Sequence, residues 1–419
     1  MLGCFILLLG CLITQCLSLA LSIRNYRYAL SELKKYQKSK KRTSFQPSVA
    51  LIIPCKGLDQ DFAHNICSFY ELDYDHYDLY FVVDDRHDPA YATLKELKQQ
   101  YRATSKVHRI HLLIAGSATT CSQKLHNLLY GCKHVEPNTD VMVFADSDIR
   151  VRHDWLVQLV WPLHKSWNGA TTGYRWFIPL TNSLPSLALS AINAKVAQLL
   201  GNSRYCQAWG GSMAIRTDTF HQIGLNSLWA KALSDDYVLS YAVKKTGLKV
   251  VYVPVCLVAS YLSTSWKSLF EFMRRQFLIT RISANGTWKF GLISSLLSVV
   301  GPWTALFLAI FTSIRTGQSH LVLGDMTFSA LFTLLTIGFF GAQWFQAVLR
   351  QNMIAKLLPD KVAQMHWAKW ADILGFGIWS FLLLAAMLTS VFGNTIRWRG
   401  IRYRLLGPTD ISILKDDAK

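Results

Sequence analysis

The chain has 419 residues, of which 51% are hydrophobic and 13% aromatic, and its formal net charge is +18. The apolar residues are concentrated in long runs, which excludes an ordinary soluble protein. Nine cysteines are scattered without a C-x-x-C pair, a pattern that favours neither a zinc site nor a disulfide framework. No nucleic-acid-binding motif accompanies the basic residues, and many of them flank the apolar runs, so the charge favours anionic lipid over nucleic acid as a partner.

Four apolar runs are each long enough to cross the ~30 Å hydrocarbon core of a bilayer as a helix. They lie at 2–23, 290–314, 328–349 and 373–392. Lys and Arg follow the first run and none precedes it, which is typical of an anchor with a cytoplasmic C-terminal side rather than of a cleaved signal peptide. The sequence therefore predicts an integral membrane protein. Its predicted segments are an anchor (1–23), a basic linker (24–47), a cytoplasmic globular domain (48–265), an interfacial amphipathic segment (266–286), a membrane block of about three helices (287–394) and a basic tail (395–419).

The side of the membrane on which the tail lies is left open by the sequence. Four crossings from a cytoplasmic residue 24 would leave the tail outside. The tail carries Arg397, Arg399, Arg402 and Arg404, however, and the charge rule favours keeping these inside. The two inferences agree only if one of the late runs is re-entrant or interfacial.

The globular segment alternates predicted strands with predicted helices. β-branched or apolar runs at 48–54, 79–83, 107–115 and 141–144 are typical of strands, and helical stretches near 61–70, 91–101 and 124–132 separate them. This alternation predicts a mostly parallel α/β sheet, whose carboxyl ends gather ligands. Lys56, Asp85 and Asp146 each follow a predicted strand and are expected at that edge.

The motif A-D-S-D-I-R at 145–150 directly follows the fourth strand. Its two carboxylates, Asp146 and Asp148, suit a hard divalent cation, which in turn can bind a diphosphate. Asp and Ser are also ordinary turn residues, so the motif alone is equally compatible with a solvated turn.

The second half of the domain is less regular. A Gly-Gly pair leads into a short strand within 208–216, and 250–255 is typical of a last strand. A helix is predicted at 234–245 with Ser234 as N-cap and Asp235 and Asp236 in its first turn, where acids also occur simply as partners of the helix dipole. Two amphipathic stretches, 187–200 and 266–281, fit either packed helices or interfacial ones, and the second is the better interfacial candidate.

Seven motifs occur in one order along the chain: P-C-K-G, D-D-R-H-D-P-A, K-L-H-N, A-D-S-D-I-R-V, G-G-S-M-A-I-R, S-D-D-Y and W-R-G-I-R-Y. Together they resemble the ceramide glucosyltransferase family, a glycosyltransferase family 21-like group of membrane-anchored inverting enzymes. The resemblance covers nearly the whole chain. It implies an α/β GT-A (Rossmann-like nucleotide-sugar-binding) catalytic domain with α-helical transmembrane segments.

The resemblance also implies roles for individual residues. Asp236 matches the catalytic base, and Asp146 and Asp148 match the metal-binding pair, which would hold Mg²⁺ or Mn²⁺. The donor would be a UDP-sugar, most naturally UDP-glucose, and its uracil would contact Asp85. Lys56, Lys124 and Asp146 would also contact the donor. The lipid acceptor, with ceramide favoured, would lie beside Gly211, Ser212 and Asp235.

One segment departs from the family pattern. A Q-x-x-R-W-like signature is expected before the membrane block, but residues 274–281 are R-R-Q-F-L-I-T-R. Gln276 is present and the Arg-Trp positions are not. Arg275 and Arg281 are the candidates to supply the missing charge to the diphosphate.

Inverting transfer needs a carboxylate base for the acceptor hydroxyl and cationic stabilisation of the departing diphosphate, and these motifs supply both. Three alternatives stay open at this stage. The acceptor is another lipid, such as diacylglycerol, a hopanoid or a polyprenyl phosphate; or the chain is a processive polysaccharide synthase; or it is an inactive scaffold.

Overall fold

A seven-stranded sheet forms the centre of the globular domain in the computed structural model, which describes residues 2–38, 45–318 and 323–414. Its strands are β1 (Val49–Pro54), β2 (Tyr77–Val83), β3 (Arg109–Ile114), β4 (Val141–Ala145), β5 (Asn168–Pro179), β6 (Ser212–Arg216) and β7 (Lys249–Leu262). Their order is β3-β2-β1-β4-β6-β5-β7. Strands β1 to β4 are mutually parallel where they pair, β6 runs antiparallel to both neighbours, and β5 pairs parallel with β7.

Both faces of this sheet are covered, as the apolar composition of its strands requires. Alternate residues of β1 point to opposite faces. Leu51 and Ile53 pack in one buried cluster, and Ala50 and Ile52 pack in another. The helices of the domain are α2 (Phe62–Tyr70), α3 (Pro89–Tyr101), α4 (Gln123–Lys133), α5 (Trp155–Val160), α6 (Leu184–Ala197), α7 (Thr217–Gln222), α8 (Leu225–Trp229) and α9 (Asp235–Lys245), with a 3₁₀ turn at Trp161–His164.

The parallel register brings three strand ends to one edge of the sheet. Ile53 of β1 lies opposite Phe81 of β2, and Ile52 lies opposite Phe144 of β4. The turns that follow these strands therefore emerge side by side, which is where ligands bind in open α/β sheets.

The first apolar run belongs to a single helix, α1 (Leu2–Lys38), which is 37 residues and about 55 Å long. Its second half packs on the globular domain: Asn25 Nδ2 donates to the Gln198 carbonyl at 3.0 Å, and Tyr28 Oη donates to the Tyr252 carbonyl at 2.7 Å. Residues 24–38, predicted as part of a linker, thus continue the helix. Three basic residues of the predicted linker, Lys40, Lys41 and Arg42, lie outside the described residues.

After the domain come α10 (Trp266–Ser283), α11 (Asn285–Gln318), α12 (Leu323–Leu357), a 3₁₀ turn (Pro359–Lys361), α13 (His366–Leu374) and α14 (Phe376–Thr389). Three helical segments are long and apolar enough to cross a membrane: Phe5–Lys38, Asn285–Arg315 and Phe328–Leu357. The fourth apolar run is a bent pair, in which α13 and α14 meet at 84°.

The chain closes with a small antiparallel sheet of β8 (Thr395–Trp398), β9 (Ile401–Gly407) and β10 (Asp410–Leu414). Its Tyr403 and Leu405 are buried against Leu278 of α10, while Arg402 and Arg404, which alternate with them, face outward. This alternation has the period of a strand and explains why a segment predicted only as a basic tail forms a sheet. Residues 415–419 of that tail lie outside the described residues.

Candidate functional site

A cavity of about 420 Å³ lies at the edge where β1 and β4 end. Its walls come from the turns after these strands, the first turns of α4 and α9, helix α10 and the C-terminal sheet. Eight of the residues predicted for the site line it: Lys56, Lys124, Asp146, Asp148, Asp235, Asp236, Arg275 and Gln276. The structure therefore gathers into one place residues that are spread over 220 positions of the sequence.

The two carboxylates after β4 have different partners. Asp146 Oδ1 lies 2.7 Å from Lys124 Nζ. Asp148 Oδ2 lies 3.5 Å from Arg175 Nη1, and its buried Oδ1 has no hydrogen-bond partner in the described part of the chain. Burial, and then the Asp146 charge, raise the pKa of Asp148 to about 6. A buried carboxylate oxygen left without a partner indicates a group that a ligand completes.

This pair fits a divalent cation of the kind that binds nucleotides. Within the described residues, no set of three or more His, Cys, Asp or Glu side chains is placed to hold a metal by itself. Mg²⁺ sites in nucleotide enzymes commonly use one or two carboxylates and take their other oxygens from phosphates and water. Asp146 and Asp148 meet that requirement.

Lys124 connects the two acidic sides of the cavity. It lies in the first turn of α4, whose N-cap Ser122 accepts from the Leu125 amide at 3.3 Å. Its Nζ is 2.7 Å from Asp146 Oδ1 and 3.0 Å from Asp235 Oδ2. Burial lowers the pKa of Lys124, but the Asp146 and Asp235 charges raise it by more, so the ammonium stays protonated. Burial in turn raises the pKa of Asp235 to about 6, against the opposing effect of Lys124.

Asp236 is held by neutral donors instead. It accepts hydrogen bonds from the Tyr237 amide at 2.7 Å, from the Gly210 amide at 3.2 Å and from the Ser234 hydroxyl. No cation lies within ion-pair distance of it among the described residues. Half-buried and facing the cavity, Asp236 is an oriented carboxylate with capacity to accept a proton.

The Gly-Gly pair before β6 permits close approach of the backbone to these acids. A Cβ on Gly210 would lie 2.2 Å from Asp235 Oδ2, and a Cβ on Gly211 would lie 2.8 Å from Asp146 Oδ2. Ser212 is fully buried, and its Oγ accepts from Trp155 Nε1 at 3.0 Å. Gly211 thus lies beside the proposed metal ligand, and Ser212 lies in the core. The acceptor-side role of both stays a prediction.

The remaining predicted residues are distributed as follows. Lys56 forms an ion pair with Asp84, while the neighbouring Asp85 points outward and accepts from the His87 amide at 2.8 Å. Asp85 does not line the cavity, and its contact with uracil stays a prediction. Arg281 donates to the carbonyls of Val391 and Gly393, away from the cavity, so Arg275 is the better placed of the two candidate cations.

Several lining residues were not predicted, among them Asp59, Arg175, Trp209, Trp398, Arg399 and Tyr403. The W-R-G-I-R-Y motif contains three of them, and the glycine between its apolar residues is a turn signal. Arg175 lies on β5, whose sequence carries no comparable signal.

Two solved structures align with this chain. One is a mannosyltransferase from Pyrobaculum calidifontis in complex with GDP-Man and Mn²⁺, with 13% identity, a TM-score of 0.44, and coverage of 90% of this chain and 97% of that chain. The other is GalNAc-T7 with UDP, GalNAc and Mn²⁺, with 14% identity, a TM-score of 0.38, and coverage of 55% of this chain and 48% of that chain.

The predicted fold class, an α/β GT-A domain with apolar helices long enough to cross a membrane, is confirmed. The sequence model of glycosyl transferase family 21 matches residues 14–411, almost the whole chain. The chain therefore belongs to glycosyl transferase family 21, as its ordered motifs predicted.

Proposed function

We propose that the chain transfers glucose from UDP-glucose to the primary hydroxyl of ceramide, with inversion, to give glucosylceramide at the cytoplasmic face of a membrane. Glycosyl transfer from a nucleotide sugar follows from the family. The identity of the sugar and the lipid, and the side of the membrane, are the added proposal.

One observation supports a lipid acceptor more than any other: the cavity is lined by two classes of side chain, acidic and apolar. Asp236 shares it with Phe177, Leu262, Phe272 and Ile279. Phe177 belongs to a buried cluster that includes Leu189 of α6, Leu269 of α10 and Trp379 of α14, and α14 is part of the bent apolar pair. A lipid with a polar head and apolar chains matches this division.

The residues of the cavity provide the parts of an inverting displacement. The acceptor hydroxyl attacks the anomeric carbon and gives its proton to Asp236, while the bond from that carbon to the nucleoside diphosphate breaks. Lys124 lies beside Asp146 and Asp235 and keeps positive charge next to the departing group. A divalent cation held by Asp146 and Asp148 would add further stabilisation of the diphosphate. The apolar wall limits access of water, which would compete with the lipid hydroxyl.

The test is transfer of radiolabelled glucose from UDP-glucose by full-length protein in detergent with Mg²⁺ or Mn²⁺. Ceramide and diacylglycerol are supplied in parallel reactions. Labelled glucosylceramide that is lost on addition of EDTA is the expected result. Label on diacylglycerol alone would contradict the acceptor and keep the reaction class, and absence of product with both lipids despite UDP binding would contradict the proposed function.

A further inference from the structure

The turn between β8 and β9 has an unusual residue at its tip. Trp398 pairs with Ile401, so the loop has two residues, Arg399 and Gly400, and both have positive φ (50° and 82°). Two-residue turns of this kind favour Asn, Asp or Gly at the first position, because other side chains are disfavoured in the left-handed region. A long cationic side chain kept in a disfavoured backbone conformation indicates a functional constraint.

The Arg399 side chain enters the cavity and reaches the metal-binding turn indirectly. Its guanidinium forms an ion pair with Asp59 Oδ1. The other oxygen of Asp59 accepts from the Ser147 hydroxyl at 3.1 Å, and Ser147 lies between Asp146 and Asp148. One carboxylate therefore ties the C-terminal hairpin to the residues that would hold the cation.

Two further guanidiniums lie in this part of the cavity. Both pack against Phe272: the guanidinium carbon of Arg175 lies 5.4 Å from the centre of its ring, and the guanidinium carbon of Arg275 lies 5.5 Å from it. The guanidinium carbon of Arg275 also lies 5.9 Å from the centre of the Trp398 ring. Arg275 makes no hydrogen bond or ion pair with the described residues. Burial, followed by the charges of Arg175 and Arg399, lowers the pKa of Arg275 to about 10.

We propose that Arg399 binds the diphosphate of the nucleotide-sugar donor, and that the C-terminal hairpin completes the donor site by bringing it there. The inference rests on the proposed function, since the diphosphate is part of the nucleotide-sugar donor named there. The planar guanidinium fork of Arg matches two phosphate oxygens at once, which an ammonium does not. A multiply charged anion also complements the positive charge of Arg175, Arg275 and Arg399, all of which line the cavity.

The experiment compares the affinity of full-length protein in detergent, with Mn²⁺, for UDP and for uridine by titration calorimetry. Arg399→Asn is the main variant, because Asn tolerates the left-handed turn. We expect UDP affinity to fall by roughly 10- to 100-fold and uridine affinity to stay within about twofold. Arg404→Asn, on the exposed face of β9, is the matched control and is expected to bind both ligands as the wild type does.

Arg399→Lys keeps the charge and can still pair with Asp59, so it remains informative if the Asn variant is poorly folded. We expect it to bind UDP several-fold less tightly than the wild type. Wild-type affinity for UDP in both variants would overturn the role of Arg399 and leave the proposed function intact. Equal losses for UDP and uridine would also overturn it, since the hairpin would then shape the whole pocket. No UDP binding by the wild type would contradict the donor itself.

Discussion

Asp235 and Asp236 are adjacent in the sequence and have opposite surroundings. Successive residues of a helix are rotated by about 100°, so the first turn of α9 directs the two carboxylates to different neighbours. Asp235 is buried and pairs with Lys124, whereas Asp236 is half-buried and accepts only from neutral donors. The first is thus occupied in the charge network of the cavity, and the second is the better candidate for proton transfer.

Asp236→Asn should therefore abolish catalysis and spare donor binding. The amide retains the shape, and its one oxygen can still accept from the Tyr237 amide, although the hydrogen bond from the Gly210 amide to Oδ2 is lost. The amide cannot take the acceptor proton. We expect the transfer rate to fall by roughly 10²- to 10⁴-fold, with UDP affinity changed by less than about twofold. Steady-state transfer and UDP titration measure the two quantities. Asp218→Asn, at an exposed position of α7, is the control, and near-wild-type turnover in the Asp236 variant would refute its role as base.

Asp148→Ala tests the metal assignment separately from the base. The wild type is expected to bind UDP more tightly with Mn²⁺ than without it, because the cation joins the carboxylates to the diphosphate. The variant should lose most of that difference and keep its affinity in EDTA. The control is Asp75→Ala, on the surface beside Lys106. The same gain from Mn²⁺ in variant and wild type would show that Asp148 is not a ligand.

At the scale of elements, local patterns predicted the first half of the domain well. Strands β1 to β4 and helices α2 to α4 have boundaries within about two residues of those predicted, because apolar runs and turn residues encode them locally. Strand β5 was missed: its N-G-A-T-T-G start has two glycines and little apolar alternation, and its pairing with β7 joins segments about 80 residues apart. Long-range pairing of this kind overrides weak local propensity.

The residues of the site also fall into those that the sequence indicated and those that it did not. Lys56, Asp146 and Asp148 follow predicted strands, so their position at one edge could be inferred from the topology of the sheet. Lys124 and Asp236 were assigned to the site only by the resemblance to the family. Asp59 and Arg399 could not be paired in this way, because their contact joins distant ends of the chain. The sequence also did not indicate which of two adjacent aspartates faces inward. Asp84 forms the ion pair with Lys56, and Asp85 points outward.

A buried ion pair fixes the junction between α12 and α13. Asp372 is fully buried and Arg350 nearly so. Arg350 Nε donates to Asp372 Oδ2 at 2.6 Å, and Gln351 Nε2 donates to the same oxygen at 2.7 Å. Such a pair adds little net stability compared with an apolar one, but removing one partner leaves a buried charge unpaired.

Asp372→Asn is accordingly expected to destabilise the protein by about 3 to 5 kcal/mol, which is measurable as a lower midpoint of thermal unfolding in detergent. Asp360→Asn removes a carboxylate from an exposed pair with Lys361 and is the control, with an expected effect below about 1 kcal/mol. A double variant, Arg350→Met with Asp372→Leu, should recover most of the loss. An unchanged midpoint in Asp372→Asn would mean that the junction does not depend on this pair.

At the scale of the whole molecule, contacts with the globular domain indicate which ends of the membrane helices lie on the same side of the membrane as the domain. The C-terminal half of α1 packs on it through Asn25 and Tyr28. Near the end of α12, Ile354 and Leu357 belong to the same buried cluster as β1 and β2. The C-terminal sheet, which follows α14, lines the cavity through Trp398 and Arg399. Both ends of the α13–α14 pair are therefore on the side of the domain.

A pair that begins and ends on one side is re-entrant rather than a crossing. Helix α14 has 14 residues and is about 21 Å long, shorter than the ~30 Å hydrocarbon core, and α13 turns away from it by 84°. On α13, Trp367 and Trp370 are exposed, as is typical of a helix in the membrane interface. We therefore predict three crossings and one re-entrant pair. This arrangement places the arginine-rich C-terminal sheet on the same side as the domain and reconciles the number of apolar runs with the charge rule.

Cysteine labelling in sealed membrane vesicles of known orientation tests this topology. The reagent is a membrane-impermeant maleimide, and the labelled variants are Asp360→Cys before the pair, Asp410→Cys after it and Lys98→Cys in the domain. We expect all three to react from the same side of the membrane and from that side only. Gly3→Cys, at the opposite end of α1, should react from the other side, and the wild-type chain measures labelling of native cysteines. If Asp410→Cys reacted from the opposite side to Lys98→Cys, α13 and α14 would cross the membrane. The C-terminal sheet could not then reach the cavity, so the same result would contradict the place of Arg399 in the donor site.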